Sequence, residues 1–150
     1  MSKGEKNGSD KGMGRGQGSR LGSVIKLLLV MPTRKVLGDF GSALKTNDEV
    51  ELLWAESGGN ALEIAAETFV DLVVIDTVVG DMTGLDLAEK MLSVNPRINC
   101  TVVSLLTSKE FHEASEGLGL LAQLRENPGK EHAEDLLKRI KNIKGRLAGM

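Results

Sequence analysis

The sequence predicts an α/β fold, a doubly wound (βα)5 three-layer sandwich built on a parallel sheet. Three observations predict it. Apolar runs recur along the chain, at VIKLLLV (24–30), VELLWA (50–55), LVVID (72–76), CTVVSLL (100–106) and LGLLAQL (118–124). These runs are continuous rather than alternating, as expected of parallel strands covered on both faces. The intervals between them carry helical periodicity, so strands and helices alternate in units of about 20–25 residues.

The helices follow in order. Val36, Leu37, Phe40, Ala43 and Leu44 form one apolar stripe, and Leu62, Ala65, Ala66 and Phe69 a second. Leu85, Ala88, Met91 and Leu92 form a third. The segment 109–117 reads as a short, weakly amphipathic helix, and Ala133, Leu136, Leu137, Ile140, Ile143 and Leu147 mark a long final one. Thr83 with Asp86 has the form of a capping box, and Asn60 with Glu63 gives a similar start signal. Right-handed crossovers then give the flavodoxin-like strand order 2-1-3-4-5, whose functional crevice lies at the carboxyl ends of strands 1 and 3.

Composition bounds the function classes. The chain has 150 residues, 41% hydrophobic and 27% charged, which suits one globular domain. With Phe, Trp and Tyr only 3%, the core must be built from Leu, Val, Ile, Ala and Met. A net charge of −2 points to neither nucleic acid nor membrane. A single cysteine, Cys100, excludes an intramolecular disulfide and any CxxC site, and its apolar surroundings predict burial. No apolar run reaches membrane-spanning length, since Lys26 interrupts even VIKLLLVM, and the polar N-terminus lacks a signal-peptide core. A cytoplasmic protein is expected.

Residues 1–23 hold seven glycines, with Met13 and Leu21 as the only large apolar residues after Met1. They read as a disordered Gly-rich tail, ahead of a domain over 24–147. Lys3, Lys6, Lys11, Arg15 and Arg20 against Glu5 and Asp10 make the tail basic. Its GRGQG piece precedes the first strand, the wrong place for a dinucleotide loop.

The candidate site centres on DLVVIDTVVGDMTGLDL, where Asp76 stands at the exit of the third strand. Asp81 lies in the turn that follows and is accounted for by turn chemistry. His112 and His132 have no partner at metal-ligand or catalytic spacing and read as surface helix positions. The run KRIKNIKGR carries five basic residues, read as a solvated helix face, with an acidic partner or nucleic acid as the sharper alternative.

At these residues the chain resembles the receiver domains of bacterial two-component response regulators, over roughly 24–145. DLVVIDTVVGDMTGLDLAEKM lies without a gap on the family pattern DLVLLDIMMPGMDGLELLRRI, and NPRINCTVVSL is similar to its P-x-I-P-V-I-V-L-S/T-A. The resemblance implies that Asp76 holds the phosphoacceptor position and Ser104 the hydroxyl that contacts the phosphoryl group. It also sets Gly84 at the opening of helix 3 and Gly119 before strand 5.

Four departures stand beside these matches. The family's acidic Mg²⁺-binding pair after strand 1 is replaced by Met31 and Pro32, followed by Arg34 and Lys35. Its lysine before a proline falls on Asn127 ahead of Pro128, with Arg125 nearby, and its strand-5 aromatic falls on Gln123 or Leu124. Gly80 replaces the family's proline. Hard oxygen ligands are what Mg²⁺ requires, so no cofactor is expected. The leading expectation is a degenerate (pseudo-)receiver, not an enzyme, in two-component or phosphorelay signalling. It works through a histidine kinase, regulator or effector, or through a homodimer, using about 109–147. The alternatives are a low-efficiency phosphoacceptor at Asp76, with Ser104 assisting, and a small-ligand-binding flavodoxin-like domain.

Overall fold

The structure is a computed structural model, and it describes residues 24–32, 38–125 and 128–148. Ten elements alternate: β1 (Ile25–Val30), α1 (Gly38–Lys45), β2 (Val50–Ala55), α2 (Gly58–Glu67), β3 (Leu72–Ile75), α3 (Gly84–Val94), β4 (Asn99–Val103), α4 (Ser108–Ala114), β5 (Ala122–Leu124) and α5 (Lys130–Ala148). The five strands pair in parallel in the order β2-β1-β3-β4-β5. The predicted fold class and strand order are therefore those of the molecule. The proposed tail, the Arg34–Lys35 pair, the helical positions Val36 and Leu37, and Asn127 lie outside the described residues.

Each face of the sheet is a separate core, and strand alternation divides the apolar residues between them. On one face Leu28, Val30, Val73, Ile75 and Val102 pack against Ala61 and Ala65 of α2, Leu87 and Met91 of α3, and Phe111 of α4. On the other, Ile25, Leu27, Leu29, Leu72 and Val74 meet Phe40 and Leu44 of α1 and Leu136, Leu137 and Ile140 of α5. This double cover explains why β3 is buried at every position and why its sequence shows no alternation. Cys100 is buried as expected, and loss of hydration pushes its thiol up to about 12.

Four boundaries differ from the sequence reading, each for a local reason. Helix α2 is capped by Ser57, whose hydroxyl accepts from the amide of Asn60, so Asn60 with Glu63 is not the cap. The same helix ends at Glu67, with Thr68 as its C-cap, which leaves Phe69 beyond it and 52% exposed. The fourth strand stops at Val103, because Thr107 and Glu110 close a reciprocal capping box that starts α4. The fifth strand keeps only Ala122–Leu124. Gly117 and Gly119 adopt positive φ of 86° and 63°, which turns residues 118–121 out of strand geometry.

Thr83 does cap α3 through the amide of Asp86. Among the described residues, no helix is long and apolar enough to cross a membrane.

Candidate functional site

Asp76 is the first residue after β3, at the carboxyl edge of the sheet. Its amide donates to the Val30 carbonyl at 3.1 Å, which carries the β1–β3 ladder one step past the strands. That bond sets Asp76 beside Met31. The half-buried Asp76 carboxylate accepts from the amide of Thr77 at 2.8 Å. Thr77 in turn donates its hydroxyl to the Val103 carbonyl at 2.8 Å, tying the β3–α3 loop to the end of β4.

Gly84 closes the loop. Its amide donates to the Thr77 carbonyl at 2.8 Å, and a Cβ there would stand 2.3 Å from the Asp76 carbonyl oxygen. Only glycine allows α3 to start this close to the strand exit. Between these points Val78 pairs with Thr83 and Gly80 takes a φ of 91°, so the loop is a tight reversal.

Asp81, read from sequence as turn chemistry, reaches a different element. Its carboxylate accepts from the amides of Gly58 and Gly59, at 2.8 and 3.0 Å, at the N-terminus of α2. Those two amides hold its carboxyl below the ordinary value of 3.8, against a smaller opposing effect of desolvation. A carboxyl depressed by folding adds stability above its unfolded pKa and loses it as pH falls through the folded one. Asp81→Asn is therefore expected to lower stability at neutral pH and to match the parent once the pH is well below 3.8. Urea melts across that range check this, and parallel profiles for the two proteins would contradict it.

Ser104 follows β4 and is buried. Its amide donates to the Leu124 carbonyl at 2.9 Å, and its hydroxyl accepts from the amide of Leu106 at 3.1 Å. Two further side chains converge on the backbone of the same residue, Gln123 Nε2 at 2.9 Å and Arg125 Nη1 at 2.7 Å from the Leu106 carbonyl. Arg125 also reaches the Ser108 hydroxyl at 3.4 Å. The guanidinium that follows β5 is thus spent on the β4–α4 turn. Sequence inspection did not anticipate this convergence, although the Thr107-Ser-Lys-Glu110 spacing was a legible signal for where the turn ends.

The fit of a divalent cation can be tested on the residues present. Met31 is fully buried in the core against α1 and α5, and a thioether is a soft ligand that Mg²⁺ does not use. Pro32 has no side-chain donor, and Asp81 is engaged at α2. Among the described residues, no group of three His, Cys, Asp or Glu stands together. The residues around Asp76 therefore do not fit the three-carboxylate site that the family resemblance would call for.

Elsewhere, His132 accepts from the amide of Gly129 through Nδ1 at 2.9 Å, a local contact at the start of α5, and His112 is exposed on α4. The basic run of α5 is largely engaged within the molecule. Arg139 pairs with Asp135, Lys141 with Glu49, and Lys144 with Asp71.

The alternating order and the 2-1-3-4-5 parallel sheet define a flavodoxin-like fold, with an aspartate at the exit of β3. Comparison with solved structures agrees. The chain is similar to a CheY-like response regulator receiver domain protein from Methanospirillum hungatei, at 21% identity and a TM-score of 0.72, covering 83% of this chain and 98% of that one. A response regulator receiver domain protein from Clostridium thermocellum matches at 18% identity and 0.72, covering 83% and 99%. A third match, at 19% identity and 0.69, covers 83% of this chain and 54% of a protein described as one of a novel family of redox sensors in the streptococci evolved from two-component response regulators. No family model matches the chain, and no curated protein does.

Proposed function

We propose that residues 24–147 form a receiver-like signalling module that acts through protein–protein contacts, without Mg²⁺-dependent phosphorylation of Asp76 and without enzymatic turnover. The observation that carries the reading is the neighbour of Asp76. Aspartyl phosphorylation needs a cation to neutralise the phosphoryl oxygens. The peptide alongside the aspartate contributes a buried Met31 and a donor-less Pro32 instead of oxygen ligands. Ser104 and Arg125, the groups placed to assist, are committed to the β4–α4 turn. A solved relative of this fold described as a redox sensor evolved from response regulators supports the view that the scaffold serves other modes of signalling.

In this reading Asp76 and Ser104 keep the phosphoacceptor and hydroxyl positions as structural residues. The module is cytoplasmic, and its partner is a histidine kinase, another regulator, an effector or a second copy. The face formed by α4, β5 and α5, about 109–147, serves that contact, and β5 is an edge strand of three residues. Nucleic acid is not proposed, because Arg139, Lys141 and Lys144 are satisfied by carboxylates of the same chain. The small-ligand alternative is not favoured either, since the stretch after β1, MPTRK, holds no glycine and a single hydroxyl with which to cradle a phosphate.

The reading is tested by incubating the full chain with acetyl phosphate and Mg²⁺ and measuring the intact mass. The mass is expected to stay unchanged. A phosphoryl adduct that disappears in Asp76→Asn would overturn the reading in favour of a working phosphoacceptor.

A further inference from the structure

A cavity of about 480 Å³ opens at the amino edge of the sheet, between α5 and the loops that lead into β3 and β4. Its apolar walls include Ile140 and Ile143 of α5 and Phe69 of the α2–β3 loop. Phe69 is 52% exposed and belongs to neither core. An aromatic ring left half in water beside two isoleucines is a platform on which a flat apolar group gains burial.

The polar wall is fixed by the fold. Asp71, 7% exposed, accepts from the Lys26 amide and from Lys144 Nζ, the latter at 3.0 Å, and Asn99 Nδ2 donates to its carbonyl at 3.2 Å. Both oxygens of the Asp71 carboxylate are thereby satisfied, whereas the Lys144 ammonium has spent one of its three donors on that pair. Arg97 also lines the cavity, and its guanidinium has no hydrogen-bond or ion-pair partner among the described residues. The charged side chains lining the cavity are thus one carboxylate against two cations. Lys144 offsets Asp71, which leaves the Arg97 charge uncompensated and donors in excess of acceptors.

We propose that this cavity binds a small carboxylate with a flat apolar body, an aromatic acid being the simplest member of the class. The carboxylate takes the guanidinium fork of Arg97, which matches it in a bidentate pair, with Lys144 as a second donor. The ring of the ligand lies against Phe69 and Ile143. The volume falls within the range of about 300–1,000 Å³ that small-molecule sites occupy. The site is separate from the crevice at the carboxyl edge and does not depend on whether Asp76 is phosphorylated, so the acetyl phosphate assay and the one below fail independently.

The probe is naphthoate, titrated into the ¹⁵N-labelled full chain and followed by NMR, with the neutral naphthamide as its control. Saturable shifts are expected at the amides of Asp71, Arg97, Asn99 and Lys144, with those of Asp76 and Ser104 unmoved. Affinity should fall as salt rises, and naphthamide should bind at least about tenfold more weakly. Arg97→Gln and Phe69→Ser change exposed side chains, so the fold should persist, and each is expected to weaken naphthoate binding about tenfold. Arg97→Lys keeps the charge without the fork and should fall between the parent and Arg97→Gln.

Equal binding of naphthamide, unchanged affinity in Arg97→Gln, or no saturation at millimolar naphthoate would overturn the proposal. So would shifts confined to other surfaces. Movement of the same resonances without naphthoate, on dilution or on deletion of residues 1–23, would overturn it too, since the occupant would then be a second copy or a segment of this chain.

Discussion

Gly84→Ala is expected to destabilise the domain by about 3 kcal/mol, the cost of forcing a methyl group into a closed backbone contact. The added carbon would lie 2.3 Å from the Asp76 carbonyl oxygen and 3.1 Å from both Ile75 Cγ2 and Val102 Cγ1. The nearest atom is main chain at the end of a buried strand, so no rotamer change relieves the clash. Either α3 shifts outward or the β3 exit moves, and each opens the core containing Leu87 and Met91. Urea denaturation measures the loss, and a change below about 1 kcal/mol would mean that the α3 start is more tolerant than this packing implies. An ordinary Gly-to-Ala change inside a helix is favourable by about 1 kcal/mol on propensity alone, so the effect at Gly84 is expected to have the opposite sign.

The second large effect lies at the opposite edge of the sheet. Asp71 is 7% exposed and, among the described residues, is the only acidic one that is buried. Its two carboxylate oxygens accept from the Lys26 amide at 2.9 Å and from Lys144 Nζ at 3.0 Å, which ties β1, the start of β3 and α5 together. Asp71→Ala is expected to cost about 2–3 kcal/mol, because it strands a backbone donor and a partly buried ammonium at once. Lys144→Met should cost less, since the carboxylate keeps the Lys26 amide and the lysine is already 29% exposed. Combining the two should be milder than the sum of the single changes, because each removes a charge that the other would leave unpaired. Additive losses in urea melts would show that Asp71 and Lys144 act independently.

The fold was legible in the sequence because both faces of the sheet are covered. The continuous apolar runs at 24–30 and 72–76 have no other economical reading, and they became β1 and β3 with shifts of one residue. The last strand was less legible. Leu118, Leu120 and Leu121 look like strand residues, yet they are turn residues that pack onto the two cores after Gly117 and Gly119 redirect the chain. The second helix was misread at both ends because its cap, Ser57, lies before two glycines that carry no periodicity. Phe69 was assigned to that helix on spacing alone, although Thr68 ends it.

The site divides in the same way. The positions of Asp76, Ser104 and Gly84 came from the match of two short segments to a family pattern, and the turn geometry around them is local. What surrounds them is not local. Asp81 finds its partners at Gly58 and Gly59, and Arg125 and Gln123 find theirs at Leu106, in neighbouring loops that only the folded sheet brings together. No pattern within one segment reports such pairings. The exposure of Val78 and Leu105 was hidden for the same reason, since each follows an apolar strand whose residues are buried.

The most direct test of the central claim is an NMR titration of the ¹⁵N-labelled chain with beryllofluoride, a phosphoryl mimic, in the presence of Mg²⁺. With Met31 and Pro32 beside Asp76, the amides of Asp76, Thr77, Gly84 and Ser104 are expected to keep their positions at millimolar Mg²⁺. Saturable shifts at those amides that vanish in Asp76→Asn would contradict the account and restore Asp76 as a metal-dependent phosphoacceptor.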